Sequence, residues 1–176
     1  MPNWCWNELT VSGDDKEVDR FVEFAKDKIE VGLNILPNGE RVIKYEETVL
    51  SFETFIPLPV CGWDYNWCCK NWGTKWNCNE VEFYNGIYSF NTAWSPPAPV
   101  IKRMGELFPK LTFHLYYEES GDDYEGDYIV EGNNIEDNCR KYTKECNLCN
   151  TKSGEVEYHE EVEMNLCPIC KKKGKV

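Results

Sequence analysis

Histidine is scarce in this chain: His114 and His159 are the only two among 176 residues. The side chain most often used for proton transfer near neutral pH is therefore almost missing. Neither a glycine-rich phosphate loop nor a serine-nucleophile motif is present. No apolar run approaches the ~18 residues of a membrane span. The opening Met1-Pro2-Asn3-Trp4 has neither the basic region nor the apolar stretch of a signal peptide, so a cytoplasmic protein without membrane association is expected. These absences argue against an enzyme.

Basic residues are also few, 19 Lys and Arg against 31 Asp and Glu, for a net charge of −12. The imbalance is uneven: residues 1–140 carry 25 acidic and 12 basic side chains, whereas residues 141–176 carry 6 and 7. A body so acidic repels nucleic-acid phosphates, so any nucleic-acid contact is expected only through the C-terminal part. Aromatic side chains, by contrast, abound: seven Trp, ten Tyr and eight Phe supply enough buried area for an independent core.

Ten cysteines would suit a secreted disulfide framework, but four have metal-ligand spacing. In a reducing cytosol the other six read as thiols. Cys146-Asn147-Leu148-Cys149 and Cys167-Pro168-Ile169-Cys170 are two C-x2-C knuckles, each turning two thiolates toward one point. Val156, Tyr158 and Val162 alternate with charged residues between them, as in a hairpin that brings the knuckles together. Soft thiolates in a closed four-coordinate set favour one structural zinc ion. A segment this small draws much of its folding free energy from the metal. His159 lies in the hairpin and is expected to face solvent.

The order of elements follows from periodicity. Trp4 to Val11 alternates as a strand, and Asp14 with Glu17 makes a capping box for a helix carrying Val18, Phe21, Val22, Ala25 and Ile29. Pro37-Asn38-Gly39 marks a turn, and Thr48 to Ile56 reads as a strand ending at Pro57-Leu58-Pro59. Trp63, Trp67, Trp72 and Trp76 fall at intervals of four or five, suggesting short helices interrupted at Gly73. Asn85-Gly86 between Val81–Tyr84 and Ile87–Thr92 is a strong hairpin signal. Ser95-Pro96-Pro97 opens a helix whose stripe is Val100, Met104, Leu107 and Phe108. Leu111 to Tyr117 alternates again, and Tyr128 to Glu131 is a last short strand. The sum is an α+β, ferredoxin-like antiparallel sheet with its helices on one face, over residues 1–132. Residues 133–144 read as a polar linker and residues 145–176 as the zinc ribbon.

Glu118 to Glu131 holds seven acidic side chains and no basic one. It reads as a solvated loop, or as an edge presenting negative charge to a basic partner; a calcium loop is disfavoured because the spaced ligands of an EF-hand are missing. His114 would share the open face of the sheet with Tyr116 and Glu118. Cys61, Cys68, Cys69 and Cys78 read as buried thiols rather than a second metal set.

Met1-Pro2-Asn3-Trp4-Cys5-Trp6-Asn7 with Leu9, Val11 and Gly13, then Phe52 to Pro59, Trp72-Gly73-Thr74-Lys75-Trp76 and Phe90 to Pro97, occur in that order. Together with Tyr117-Glu118-Glu119 and Gly126 they resemble the YubB-like ferredoxin-like domain family of phage and plasmid proteins. The resemblance covers residues 1–132 and implies a mobile-element origin and a ferredoxin-like fold, but no reaction. The zinc tail is an addition. The same tryptophans are explained as core anchors beside Gly and Pro. Alternatively Trp72, Lys75, Trp76, Trp94 and Ser95 form a pocket near a helix N-terminus, suited to a nucleotide base or a peptide aromatic. The function expected is an acidic, non-enzymatic protein-binding accessory. The alternatives are nucleic-acid binding through the ribbon with Lys171, Lys172, Lys173 and Lys175, and a nucleotide-binding protein or enzyme using the tryptophan pocket.

Overall fold

The computed structural model describes residues 3–38, 40–141, 143–153, 155–159 and 162–172. Met1, Pro2, the turn residue Gly39 and the terminal Lys173 and Lys175 lie outside these residues. Strand β1 (Trp4–Ser12) is followed by helix α1 (Asp15–Ala25) and an antiparallel hairpin of β2 (Asp27–Ile35) and β3 (Arg41–Thr48). Two short helices, α2 (Phe52–Phe55) and α3 (Tyr65–Asn71), lead to β4 (Asn79–Tyr84) and β5 (Ile87–Ala93). Helix α4 (Ala98–Leu107) precedes β6 (Thr112–Glu119), β7 (Tyr124–Glu131) and β8 (Asn134–Lys141). A small unit of β9 (Glu157–His159), β10 (Met164–Leu166) and α5 (Pro168–Lys172) completes the chain.

Six strands form one antiparallel sheet in the order β4-β5-β1-β6-β7-β8. The succession β1-α1-β4-β5-α4-β6, with β1 between β5 and β6, is the ferredoxin-like pattern expected, extended at one edge by β7 and β8. Alternate residues decide its faces. Cys5, Asn7, Leu9 and Val11 of β1 are buried, as are Phe113, Leu115 and Tyr117 of β6. All of these but Asn7 pack with Phe21 from α1 and Val100, Ile101 and Met104 from α4 in a continuous core. Phe21 sits at the centre, its ring 5.2 Å from Phe113, 5.3 Å from Phe108 and 5.7 Å from Phe55. A Cβ added at Gly105 would run into Val130 Cγ1, so this glycine lets α4 lie close on β7. No described helix is long and apolar enough to cross a membrane.

The sequence expectations differ from the structure in several places. Helix α1 ends at Ala25, and Ile29 belongs to β2; Asp14 caps the helix through the Lys16 N–H, 3.1 Å away, rather than through Glu17. The stretch expected as a strand from Thr48 to Ile56 is not one beyond Thr48, which closes β3: Asn77 Oδ1 accepts from the Phe52 N–H at 2.8 Å and starts α2 there. Pro97, not Ser95, stands at the N-cap of α4. The polar residues 133–144, read as a linker, contain β8, which pairs regularly with β7 from Glu131↔Asn134 to Tyr124↔Lys141. Both faces of β8 are exposed, so it lacks the apolar alternation by which a strand is recognised. The acidic stretch 118–131 is mostly β-structure too, with only residues 120–123 as its turn.

Candidate functional site

The C-terminal unit is built around the two knuckles. The β9–β10 ladder pairs Met164 with His159 and Leu166 with Glu157, and Val156, Val162 and Leu166 form its small apolar core. In the first knuckle the Asn150 N–H donates to Cys146 O at 2.8 Å, and in the second the Lys171 N–H donates to Cys167 O at 3.0 Å. Asn147 fastens one to the other, its Oδ1 accepting from the Asn165 N–H at 2.6 Å. The four sulfur atoms of Cys146, Cys149, Cys167 and Cys170 lie within 4.8 Å of one another, with Cys149 Sγ 3.7 Å from Cys167 Sγ. A tetrahedron with metal–sulfur bonds of ~2.3 Å has edges of about 3.8 Å, so this cluster needs little contraction to hold a metal ion.

The protonation of the thiols fits such a role. The Cys167 backbone N–H beside Cys146 pulls that thiol down to about 6. Cys149 is drawn below the ordinary thiol range by Thr151, whose Oγ1 lies 3.3 Å away. Cys170 is pushed up to about 12, first by its hydrogen bond with Cys149. His159, expected in solvent, is half-buried, and its Nε2 is enclosed without a hydrogen-bond partner among the described residues.

The residues of the tryptophan pocket separate into two groups. Trp72 is 1% exposed, and its Nε1–H donates to Ile56 O at 2.9 Å, making it a core anchor. Ser95 Oγ donates to Gly73 O at 2.6 Å, and Thr74 Oγ1 donates to Ala93 O at 2.9 Å. These bonds lace 73–74 to 93–95, so Ser95 serves the loop rather than a ligand. Lys75, Trp76 and Trp94 do come together: Lys75 Nζ lies 4.2 Å from the Trp76 ring centre and 5.3 Å from that of Trp94. Trp94 holds a left-handed φ of 69°, uncommon for a bulky residue. Its N–H donates to Asn3 O at 3.0 Å and its carbonyl accepts from the Tyr124 hydroxyl, which fixes the strained conformation.

Beside this cluster runs a groove of about 750 Å³, whose lining includes Trp4, Trp63, Trp76, Leu58, Asp27 and Glu53. Trp63 is half exposed, and its Nε1–H donates to Lys75 O at 3.0 Å, while the Trp4 ring leans on Trp76 at 6.1 Å. Burial pushes the Glu53 carboxyl up, and Asp27 pushes it further the same way. Trp4, Trp63, Asp27 and Glu53 were not among the residues expected at a site. Composition gives no signal for them, because their proximity depends on how the β2–β3 arm leaves the body.

Part of the acid in the hairpin of β6 and β7 is paired within the chain. Glu119 is 1% exposed and accepts from the Gly121 N–H at 3.0 Å. Glu125 accepts from Arg140 Nε at 3.0 Å and from the Tyr116 hydroxyl at 3.2 Å; Asp127 accepts from Arg140 at 2.6 Å and lies 2.8 Å from His114 Nε2. The guanidinium comes from β8, outside the acidic window, and Lys144, just beyond β8, meets Asp123 at 3.2 Å.

Residues 71–165 match the family described as the ferredoxin-like domain in Api92-like protein. No curated protein matches. Among solved structures, the crystal structure of a protein api92 from Yersinia pseudotuberculosis is similar, with a TM-score of 0.58 and 10% identity over 81% of this chain and 98% of that one. At that identity the likeness is one of fold alone. A half-chain match to the family, a βαββαβ sheet and a common fold agree, and this chain belongs to the family of ferredoxin-like domains of Api92-like proteins.

Proposed function

We propose that this protein is a non-enzymatic protein-binding module, an accessory of a phage or plasmid acting in the host cytoplasm, that takes a basic segment of a partner into the aromatic groove. The observation that carries the reading is the groove itself: three indoles line it together with two carboxylates, Asp27 and Glu53, and one ammonium, Lys28, and Asp27 adds to the burial that pushes the Glu53 carboxyl up. Indole faces attract ammonium and guanidinium groups, as Lys75 over Trp76 illustrates within the chain. The surplus of acid in residues 1–140 would steer a basic partner toward it. The ribbon is proposed to hold one zinc ion: four sulfur donors close the coordination sphere and leave no position for a substrate, so the metal is structural.

The test compares fluorescent peptides rich in Lys and Arg, acidic peptides of equal length and single-stranded oligonucleotides by anisotropy. Basic peptides should bind, more weakly at high salt; Trp63→Ala should lower the affinity severalfold without changing the melting temperature, and Glu53→Gln should lower it severalfold while raising the melting temperature, because the fold disfavours the charge of that carboxyl. Preference for oligonucleotide would transfer the function to the exposed Lys171 and Lys172 of the ribbon. Stabilisation by a nucleotide would transfer it to a small-molecule site.

A further inference from the structure

The two edges of the six-stranded sheet are treated differently. An open edge offers unpaired N–H and C=O groups to any strand, and proteins blunt it with bulges, prolines or covering segments. Edge β4 carries such a device: its pairing with β5 is irregular between Asn79 and Glu82, and Glu80 takes a left-handed φ of 52°. Edge β8 has none. Its register against β7 is unbroken, it contains no proline, and each of its residues is exposed. Its charges are segregated, with Glu136 and Asp137 in the first half and Arg140 and Lys141 in the second. An antiparallel strand of the same sequence sets the acidic half of one copy against the basic half of the other.

We infer that β8 is an interaction edge whose occupant is the β8 of a second copy of this chain, joining two six-stranded sheets across a twofold axis. Backbone geometry restricts the register. Along β8, residues alternate between pointing their N–H and C=O toward β7 and toward the free edge, and opposed residues in an antiparallel ladder are always of the same kind. A residue can therefore face only one an even number of positions away, which excludes complete overlap of residues 134–141. Two near-complete registers remain. One sets Asp137 against its own copy, and like charges directly opposed are destabilising. The other centres on Asn138, overlaps residues 135–141, and sets Glu136 of each copy against Arg140 of the other. On the free face of the sheet Arg140 already bonds Glu125 and Asp127, which hold its guanidinium in place for a third carboxylate. The net charge of −12 on each copy opposes approach, so the association is concentration-dependent.

Light scattering on the eluting full chain over a concentration series should show a monomer passing to a dimer. Glu136→Arg should weaken the dimer about tenfold or more, by turning two attractive pairs repulsive, with no change in melting temperature at concentrations where the chain is monomeric, because Glu136 is exposed there. In an Asn138→Cys, Cys139→Ser variant, a short thiol crosslinker should join position 138 to its copy, as mapped by peptide mass spectrometry. In the parent, Cys139 faces Asp137 of the other copy and should not link to itself. A monomer at every concentration, a dimer indifferent to Glu136→Arg, or a crosslink between other positions would overturn the proposal. A heterologous partner seated on β8 would also do so if it bound while this chain stayed monomeric.

Discussion

Three tryptophans near one another do three different things, and side-chain spacing does not sort them. Trp72 and Trp76 are four apart, which on a helix would place them on one face. Helix α3 ends at Asn71, however, and Gly73 takes a left-handed φ of 80°, so the phase is lost between them. Trp72 turns into the core and Trp76 outward beside Lys75. Trp72→Ala should cost ~3–5 kcal/mol in chemical denaturation, the range for deleting a buried large aromatic. Lys75→Ala should be nearly neutral for stability, since its ammonium rests on ring faces at the surface; its effect should appear in peptide affinity. Trp94→Gly relieves the backbone strain at that position, so it should lose less stability than Trp94→Ala while losing the same ring. Equal losses for the two variants would mean that the strain relieved is no larger than the backbone freedom glycine adds to the unfolded chain.

At the scale of elements, the parts that periodicity reveals are those with one wet and one dry face. Strands β1, β5 and β6 and helices α1 and α4 were legible because apolar residues recur at period 2 or 3.6. Strand β8 and the β2–β3 arm were not, since exposure on both faces of β8 and over β3 leaves no such period. The knuckles were legible for another reason: ligand spacing is a local constraint that needs no tertiary context. Cys146→Ser or Cys170→Ser should abolish zinc binding, measured as one zinc per parent chain by elemental analysis. Amide spectra should then lose the β9–β10 ladder and keep the six-stranded sheet, because the two have separate cores.

The contact of β8 with β7 has a pH signature. Burial pushes the Asp127 carboxyl up, but Arg140 and His114 outweigh it and hold it below the usual carboxylate range. A carboxyl depressed in the folded state contributes stability above its unfolded value and loses it as pH falls through the folded one. Melting temperature measured from neutral pH into acid should therefore fall less steeply in Asp127→Asn than in the parent. Arg140→Ala should also flatten the acid limb, by letting Asp127 rise toward its unfolded value.

For the molecule as a whole, the family match lies in residues 71–165, whereas the strand at the middle of the sheet comes from outside it. Strand β1 lies between β5 and β6, with Trp4 opposite Ala93 and Ser12 opposite Thr112. Strand β1, made before both of its neighbours, thus has no partner on either side until most of the body has been made. Its apolar side chains must wait, exposed, through the synthesis of the β2–β3 arm and helices α2 and α3. At ~5–20 residues per second the delay is of order several seconds, long enough for a chaperone to be the first partner that this tryptophan-rich strand meets.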